Sequence, residues 1–185
     1  MGMESIPSES ECYPAKLAHG HVQWLYDHGI RTIFHPCVFY EYQETPGAQN
    51  HYNCPMVVSY PENLKNNVDA ITSGKLKYLR PFIAFTDEKT AADRLVDFCR
   101  EEWNIPPKEV RAAAKKAWIE LRKTKQDIQT EGKRVLENMT AKGRRGIVLA
   151  GRPYHIDPEI NHGIAELIAS YDLDVLTEDS LPFDD

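Results

Sequence analysis

The spacing of apolar residues changes several times along the chain, and each change marks a predicted element. Residues 13–28 carry apolar side chains at helical spacing after Pro14, which predicts a helix that stops at Gly29. Three short runs are rich in β-branched and aromatic residues and predict strands, the second followed by a short helix around "ENLKNNVDAI": "IRTIFHPC", "PMVVSYPE" and "LRPFIAF". This alternation of helix and strand predicts an α/β layer with a largely parallel sheet.

The middle of the chain is predicted to be helical. Asp87 is a suitable N-cap for a helix that runs to about Trp103, and "NIPPKEV" ends that helix and begins another. The second helix is predicted from Pro107 to about Lys142, because apolar residues recur three, four or seven apart along one side: Val110, Ala114, Ala117, Leu121, Ile128, Val135 and Met139. At about 1.5 Å per residue it would span roughly 50 Å. We therefore interpret it as a brace between two lobes.

The last segment has the pattern of half a βαβ unit. A strand is predicted at 146–150, a helix that begins at Asp157 and Pro158, and a second strand at 173–177. The predicted fold class is α/β, with two partial Rossmann-like or flavodoxin-like lobes of parallel strands joined by the long helix. The predicted domains are 1–86, 87–143 and 144–185. We expect the first to be incomplete at its N-terminus and the last to be truncated, so that the chain is a fragment of a longer polypeptide.

Composition and charge exclude several classes of function. A formal net charge of −6 offers nothing to neutralise a phosphate backbone, which argues against nucleic-acid binding. No apolar run is long enough to span a membrane, and "MGMESIPSES" lacks the basic and apolar regions of a signal peptide. Four cysteines without an export signal favour free thiols or metal ligands in a reducing compartment. These features predict a soluble cytoplasmic protein.

Three cysteines are candidates for one site. Cys12 opens the first helix, and the strand that follows returns far enough to bring Cys37 back to the same edge. The positive end of the helix dipole would favour the Cys12 thiolate, which is the form that binds metal. Cys54 ends the polar loop that leaves Cys37. If "MVVSY" were a strand parallel to "TIFH", however, Cys54 would lie at the opposite edge.

Residue types and spacing leave three interpretations of these cysteines open. Three thiolates would suit an iron–sulfur cluster with one iron open to a further ligand. A zinc site could instead be built from Cys37, Cys54, His35 and His51. All three thiols could also be buried packing residues, as we expect for Cys99. None of the spacings is the short CxxC pattern that would decide among these alternatives.

A second candidate site is the loop "GRPYHID", which follows the predicted strand at 146–150. Open α/β sheets place ligands at the carboxyl ends of their strands. Arg152 could meet a phosphate with two hydrogen bonds, and His155 lies nearby, so both are candidate ligand-binding residues. The loop has a single glycine and is not a Gly-rich phosphate loop. Histidines at 19, 21, 155 and 162 are each also interpretable as structural residues.

The chain resembles the acyl-CoA dehydratase activase-related proteins, which are also described as CoA-substrate-specific enzyme activases with a dehydratase-like region. The segments that carry the resemblance are "MESIPSESECYPAKLAHGHV", "IFHPCVFYE", "NHYNCPMVVSYPENLKNNV" and "GRPYHIDPEINHGIAELI". The dehydratase-like region is similar in turn to the electron-accepting component of 2-hydroxyacyl-CoA dehydratases and to double-cubane cluster reductases. The helices between 87 and 142 contribute least to this likeness.

The resemblance implies α/β lobes with a cysteine-ligated iron–sulfur cluster of the [4Fe–4S] or a related type at their junction. It also implies a low-potential electron received from an ATP-hydrolysing activase module of the same or another chain. The matching positions are Cys12, Cys37 and Cys54, and no fourth cysteine is well placed. The leading hypothesis is therefore an iron–sulfur electron-transfer or reductase region. The alternatives are a scaffold domain of a large activase whose cysteines are only packed, and acyl-CoA binding at "GRPYHID".

Overall fold

A computed structural model describes residues 11–44 and 47–182 of the chain. It divides into two compact units, Met1–Lys116 and Ala117–Asp185, and the division falls inside the longest helix. The predicted incompleteness of the N-terminus concerns residues that lie outside the described part of the chain. The last three residues also lie outside it. We describe each unit separately.

The first unit contains parallel strand pairs flanked by helices. Its elements are α1 (Tyr13–Asp27), β1 (Thr32–Phe34), β2 (Cys37–Val38), α2 (Pro55–Asn67), α3 (Asp69–Thr72), β3 (Lys77–Leu79), β4 (Phe82–Ile83), α4 (Glu88–Trp103) and the start of α5 (Pro107–Lys142). Strand β1 pairs with β3 and β2 pairs with β4, both in parallel. Pro36 separates β1 from β2, and Pro81 separates β3 from β4, because proline cannot donate to a ladder.

The core of the first unit lies between α1, α2 and the β1–β3 pair. Its buried residues come from each of these elements and from the segment around α3: Val22, Ile33, Leu64, Val68, Ala70 and Leu76. Leu64 is the most completely enclosed of them, with 1% of its surface exposed. Burial of this much aliphatic surface is what holds the helices against so short a sheet.

The prediction of a strand at "PMVVSYPE" is wrong, because these residues form the first part of α2. Pro55 occupies the first turn, where a missing N–H costs nothing, and the Val58 N–H donates to the Cys54 carbonyl. Pro61, Leu64 and Val68 are buried at spacings of three and four, which is a helical period. The predicted separate short helix is the remainder of α2 followed by α3.

The two helices of the middle segment are confirmed. Asp87 caps α4, since its carboxylate accepts a hydrogen bond from the Thr90 N–H at 2.8 Å. Helix α4 ends at Trp103, and its C-cap Asn104 adopts the left-handed conformation that asparagine tolerates. Cys99 is buried with Val96 and Val110, as expected for a packing residue. Helix α5 begins at Pro107 and ends at Lys142, the predicted bounds.

The second unit contains the rest of α5 and a two-stranded parallel sheet. Its further elements are β5 (Gly146–Leu149), α6 (Pro158–Asn161), α7 (Ile164–Ser170) and β6 (Asp174–Thr177). The predicted helix from Pro158 is divided at His162 and Gly163, which both have positive φ. The Arg144 guanidinium binds the carboxylates of Asp172 and Asp174 and fixes the start of both strands. The α/β class with parallel strands and a long helix is thus confirmed.

Candidate functional site

The three candidate cysteines each stand at the beginning of an element of the first unit. Cys12 is the N-cap of α1, Cys37 is the first residue of β2, and Cys54 is the N-cap of α2. Neither capping thiol makes a side-chain hydrogen bond to its own helix. Cys12 and Cys54 are exposed, whereas Cys37 is completely buried. The set therefore combines two accessible thiols at helix N-termini with one enclosed thiol.

Hydrogen bonds hold the start of α2 against the strand that contains Cys37. The Asn53 N–H donates to the Phe39 carbonyl at 3.0 Å, and the Asn53 side chain donates to the Val38 carbonyl at 3.1 Å. Asn53 immediately precedes Cys54, and Val38 immediately follows Cys37. The two cysteines are thus next to residues that contact each other. This arrangement is possible because α2 is a helix that begins here rather than a strand, which removes the conflict that a second parallel strand would have created.

Cys12 also contacts helix α2. Its Sγ lies 3.8 Å from the phenol oxygen of Tyr60, which is in the middle of α2. Cys12 and Cys54 are therefore both connected to α2, one through Tyr60 and the other as its cap.

The surroundings of Cys37 favour the neutral thiol. Burial raises its pKa, the nearby Glu62 carboxylate raises it further, and the Arg80 guanidinium acts in the opposite direction. Glu62 and Arg80 form an ion pair with each other at 2.5 Å, so their opposite effects on the Cys37 pKa partly cancel. The Cys37 Sγ lies 4.0 Å from the Arg80 carbonyl oxygen, which can accept a weak hydrogen bond from the S–H group.

A phenol–imidazole pair lies beside this thiol. The Tyr78 hydroxyl and Nδ1 of His35 are joined by a hydrogen bond of 2.6 Å, and the rings meet edge to face. Burial lowers the pKa of His35, which favours the neutral ring. Burial and the neighbouring Cys37 raise the pKa of Tyr78, which keeps the phenol protonated. Sequence reasoning missed Tyr78 because its partner is 43 residues away.

A second buried polar pair near Cys12 was also missed by sequence reasoning. His19 is 2% exposed, and its Nε2 lies 3.8 Å from a carboxylate oxygen of Glu11. Neither His19 Nδ1 nor that Glu11 oxygen has a hydrogen-bond partner. Burial lowers the pKa of His19, while the Glu11 charge opposes the shift. His21, two residues further on, is exposed, as expected for the opposite face of the helix.

The metal-site predictions find donors but no assembled ligand set. Within residues 11–44 and 47–182, no three histidine, cysteine or acidic side chains are grouped so that they could hold a metal ion. Of the histidines in the zinc alternative, His35 uses Nδ1 for Tyr78, and His51 uses Nδ1 for the Glu41 carbonyl at 2.5 Å. Cysteine sulfur is a suitable ligand for both iron–sulfur clusters and zinc. The donor chemistry fits, whereas the side-chain positions do not form a coordination shell.

The "GRPYHID" loop lies at the carboxyl ends of β5 and β6, as predicted for this half-unit. Arg152 and His155 are both exposed, and the Arg152 N–H donates to Nδ1 of His155 at 3.1 Å. The cavity they line has a volume of about 30 Å³ and is also lined by Glu178 and Asp179. That volume is close to the space of one water molecule. The negative charges of the two carboxylates would also repel a phosphate. Asp157 caps α6 with hydrogen bonds to two N–H groups.

Fold and site together define an α/β protein with exposed thiols at two helix N-termini beside a buried third thiol. The chain belongs to the family described as the CoA enzyme activase uncharacterised domain (DUF2229), whose model matches residues 1–181. The resemblance to CoA enzyme activase-related proteins is thereby confirmed. The comparisons with curated proteins and with solved structures found no match. Among the described residues, no helix is both long and apolar enough to cross a membrane.

Proposed function

We propose that this chain is an electron-transfer region of an ATP-driven CoA enzyme activase system, in which Cys12, Cys37 and Cys54 hold a [4Fe–4S] or related cluster. The enzymes activated would be of the 2-hydroxyacyl-CoA dehydratase type, as the resemblance implies. The observation that carries the proposal is the attachment of both exposed cysteines to α2, with Asn53 joining the start of that helix to the strand of Cys37.

The residues of this chain would have distinct roles toward such a cluster. Cys12 and Cys54 are accessible, and each stands at the N-terminus of a helix. Cys37 is enclosed and protonated, so it would have to lose its proton when it binds metal. A bound iron–sulfur cluster supplies one-electron transfer at a potential set by hydrogen bonds and solvent exposure. Tyr78, which lies beside Cys37 and is half-buried, is a polar group of the kind that tunes such a potential.

The test is anaerobic reconstitution of the full chain with iron and sulfide, followed by iron and acid-labile sulfide analysis and electron paramagnetic resonance of the reduced sample. Cys12→Ser, Cys37→Ser and Cys54→Ser should each lose most of the bound iron. Cys99→Ser is the matched control, since Cys99 is a buried thiol outside the candidate set. Circular dichroism of each variant separates a lost ligand from a lost fold. Equal iron in Cys99→Ser and in the three other variants would contradict the proposal.

The second candidate is a scaffold domain of a multidomain activase in which the cysteines only pack. Two observations favour it. The possible metal ligands among the described residues are not grouped around a common point, and Cys37 is buried and has a raised pKa. It predicts that reconstitution incorporates neither iron nor zinc in stoichiometric amounts and that serine variants behave like Cys99→Ser. Zinc alone, bound in a form that is lost in Cys37→Ser and Cys54→Ser but kept in Cys12→Ser, would instead support the zinc site with His35 and His51.

Acyl-CoA binding at Arg152 and His155 remains a separate proposal. The exposed Arg152 guanidinium supports it, whereas the small cavity and the carboxylates of Glu178 and Asp179 speak against a phosphate there. Isothermal calorimetry with a CoA thioester on the full chain is the direct test. We expect heat that disappears in Arg152→Ala if the loop binds the thioester. Heat that persists in Arg152→Ala would place binding elsewhere.

A further inference from the structure

The second unit has an open groove that no candidate site uses. We call it the α5–β6 groove. It has a volume of about 460 Å³ and is lined on one side by Asp127, Ile128, Glu131, Gly132 and Val135 of α5, and on the other by Val175, Leu176, Thr177 and Ser180. Three consecutive residues of β6 line it. Since successive side chains point to opposite faces of a strand, the groove runs along the edge of β6.

The strand register determines which backbone groups face the groove. The Asp174 N–H donates to the Arg145 carbonyl, so the backbone groups of Asp174 point to β5. In a parallel ladder these groups alternate, so those of Val175 point away from β5. Those of Thr177 do the same, and they are occupied by the Ser180 hydroxyl, which accepts from its N–H and donates to its carbonyl. Val175 therefore presents one N–H and one C=O to the groove.

The walls of the groove combine apolar and acidic chemistry. Ile128 is 42% exposed, and Val135 and Val175 are half-buried, which leaves an apolar surface on both sides. Asp127 and Glu131 are exposed on the α5 rim, and because Glu131 is paired with the Arg134 guanidinium, Asp127 carries the net negative charge there. A partner must therefore offer apolar side chains and positive charge.

We propose that the α5–β6 groove binds an extended segment of a partner protein, in which apolar residues alternate with lysine or arginine, as a third strand of the β5–β6 sheet. Main-chain hydrogen bonds to Val175 would give affinity, and the acidic rim would select a basic segment. A second copy of this chain is disfavoured as the occupant, because its own β6 edge carries the same acidic α5 rim and offers no basic segment to it.

The probe is a synthetic fluorescent peptide of alternating valine and lysine, with an alternating valine and glutamate peptide of equal length as the control. Fluorescence anisotropy with the full chain should show saturable binding of the lysine peptide only. Amide hydrogen exchange at Val175 should slow by at least about tenfold on binding, because its N–H gains an acceptor. Binding without protection at Val175 would be non-specific charge attraction and would overturn the proposal, as would equal binding of both peptides.

Charge-reversal variants provide the matched comparison. Asp127→Lys, on the rim, should weaken lysine-peptide binding at least about tenfold, whereas Glu137→Lys, an exposed acid of α5 outside the groove, should not. To detect weak affinity, the lysine segment is also fused after residue 185 through a flexible linker, which raises its effective concentration to about the millimolar range. The proposal would be overturned if the Val175 amide were not protected in the fusion. It would also be overturned if Asp127→Lys and Glu137→Lys weakened lysine-peptide binding equally.

Discussion

The two units carry the same local device, a polar loop at the end of a parallel strand followed by a helix that begins with proline. In the first unit the device is enclosed: Ile33 of β1 and Leu64 of α2 are buried in one cluster. In the second unit it is largely bare, because Ile147 and Val148 on successive positions of β5 are each about 40% exposed. Strands of parallel sheets are normally covered on both faces.

This difference determines how firmly each loop can hold the side chains of a ligand site. In the first unit, Asn53 and the aromatic rings around it hold the polar loop, with Tyr40 donating to the Tyr52 hydroxyl at 2.9 Å. In the second unit, every residue from Gly151 to Asp157 is exposed. A ligand site requires side chains fixed by packing behind them. The cysteine region has that support, whereas the "GRPYHID" loop lacks it.

The largest effect is expected from matched leucine truncations in the two units. Leu64→Ala should lower the free energy of unfolding by about 2–5 kcal/mol, because it removes a side chain that is 1% exposed from the core. Leu167→Ala, in α7, should change it by no more than about 0.5 kcal/mol, because Leu167 is 57% exposed. Urea denaturation followed by circular dichroism measures both. A loss of similar size in Leu167→Ala would mean that the exposed face is covered in solution.

A smaller effect should arise at Gly132, where the second unit is closely packed. A Cβ built there would lie 1.8 Å from the Ser180 carbonyl oxygen, so the helix and the turn after β6 cannot keep their positions. Helix propensity alone would make Gly132→Ala stabilising by about 1 kcal/mol. We expect the opposite sign, a loss of about 1–3 kcal/mol, because the clash is with backbone.

Hydrogen exchange at the Thr177 amide reports this change locally, since that N–H donates to the Ser180 hydroxyl. It should exchange faster in Gly132→Ala. Lys133→Ala, the exposed neighbouring position on the same helix, is the control and should leave the exchange unaltered. A stabilised Gly132→Ala variant would show that α5 and the turn after β6 can separate without a free-energy cost. The packing of the second unit would then be weaker even at Gly132.

Sequence patterns predicted those parts of the fold that depend on local chemistry. Helix α5 begins at a proline and ends before Gly143, and Asp87 caps α4, so the signals lie within the elements themselves. The strand predicted at "PMVVSYPE" failed because two adjacent valines outweighed the spacing of Pro61, Leu64 and Val68. The buried period of that segment becomes visible only when the window extends beyond the apolar run.

The candidate site was less predictable because its contacts are long-range. The cysteines could be chosen from residue type, but Tyr60, Arg80 and Tyr78 reach their partners across 43 or more residues. Whether Cys37 is enclosed depends on the packing of α2 over β2, which no local pattern encodes. Its raised pKa is accordingly a property of the fold rather than of the motif.

The smallest expected effect concerns His19 and tests how tightly the first unit is sealed. Burial lowers its folded pKa below the ordinary 6.5, so the unfolded chain binds the extra proton first as the pH falls. Stability should therefore be fully present above pH 6.5 and decline below it, by at most about 1.4 kcal/mol per pH unit for this one group. His19→Gln should flatten this slope but not abolish it, since burial lowers the pKa of His35 as well. His21→Gln, on the exposed face of the same helix, should keep the wild-type slope, and equal slopes in both variants would show that water reaches His19.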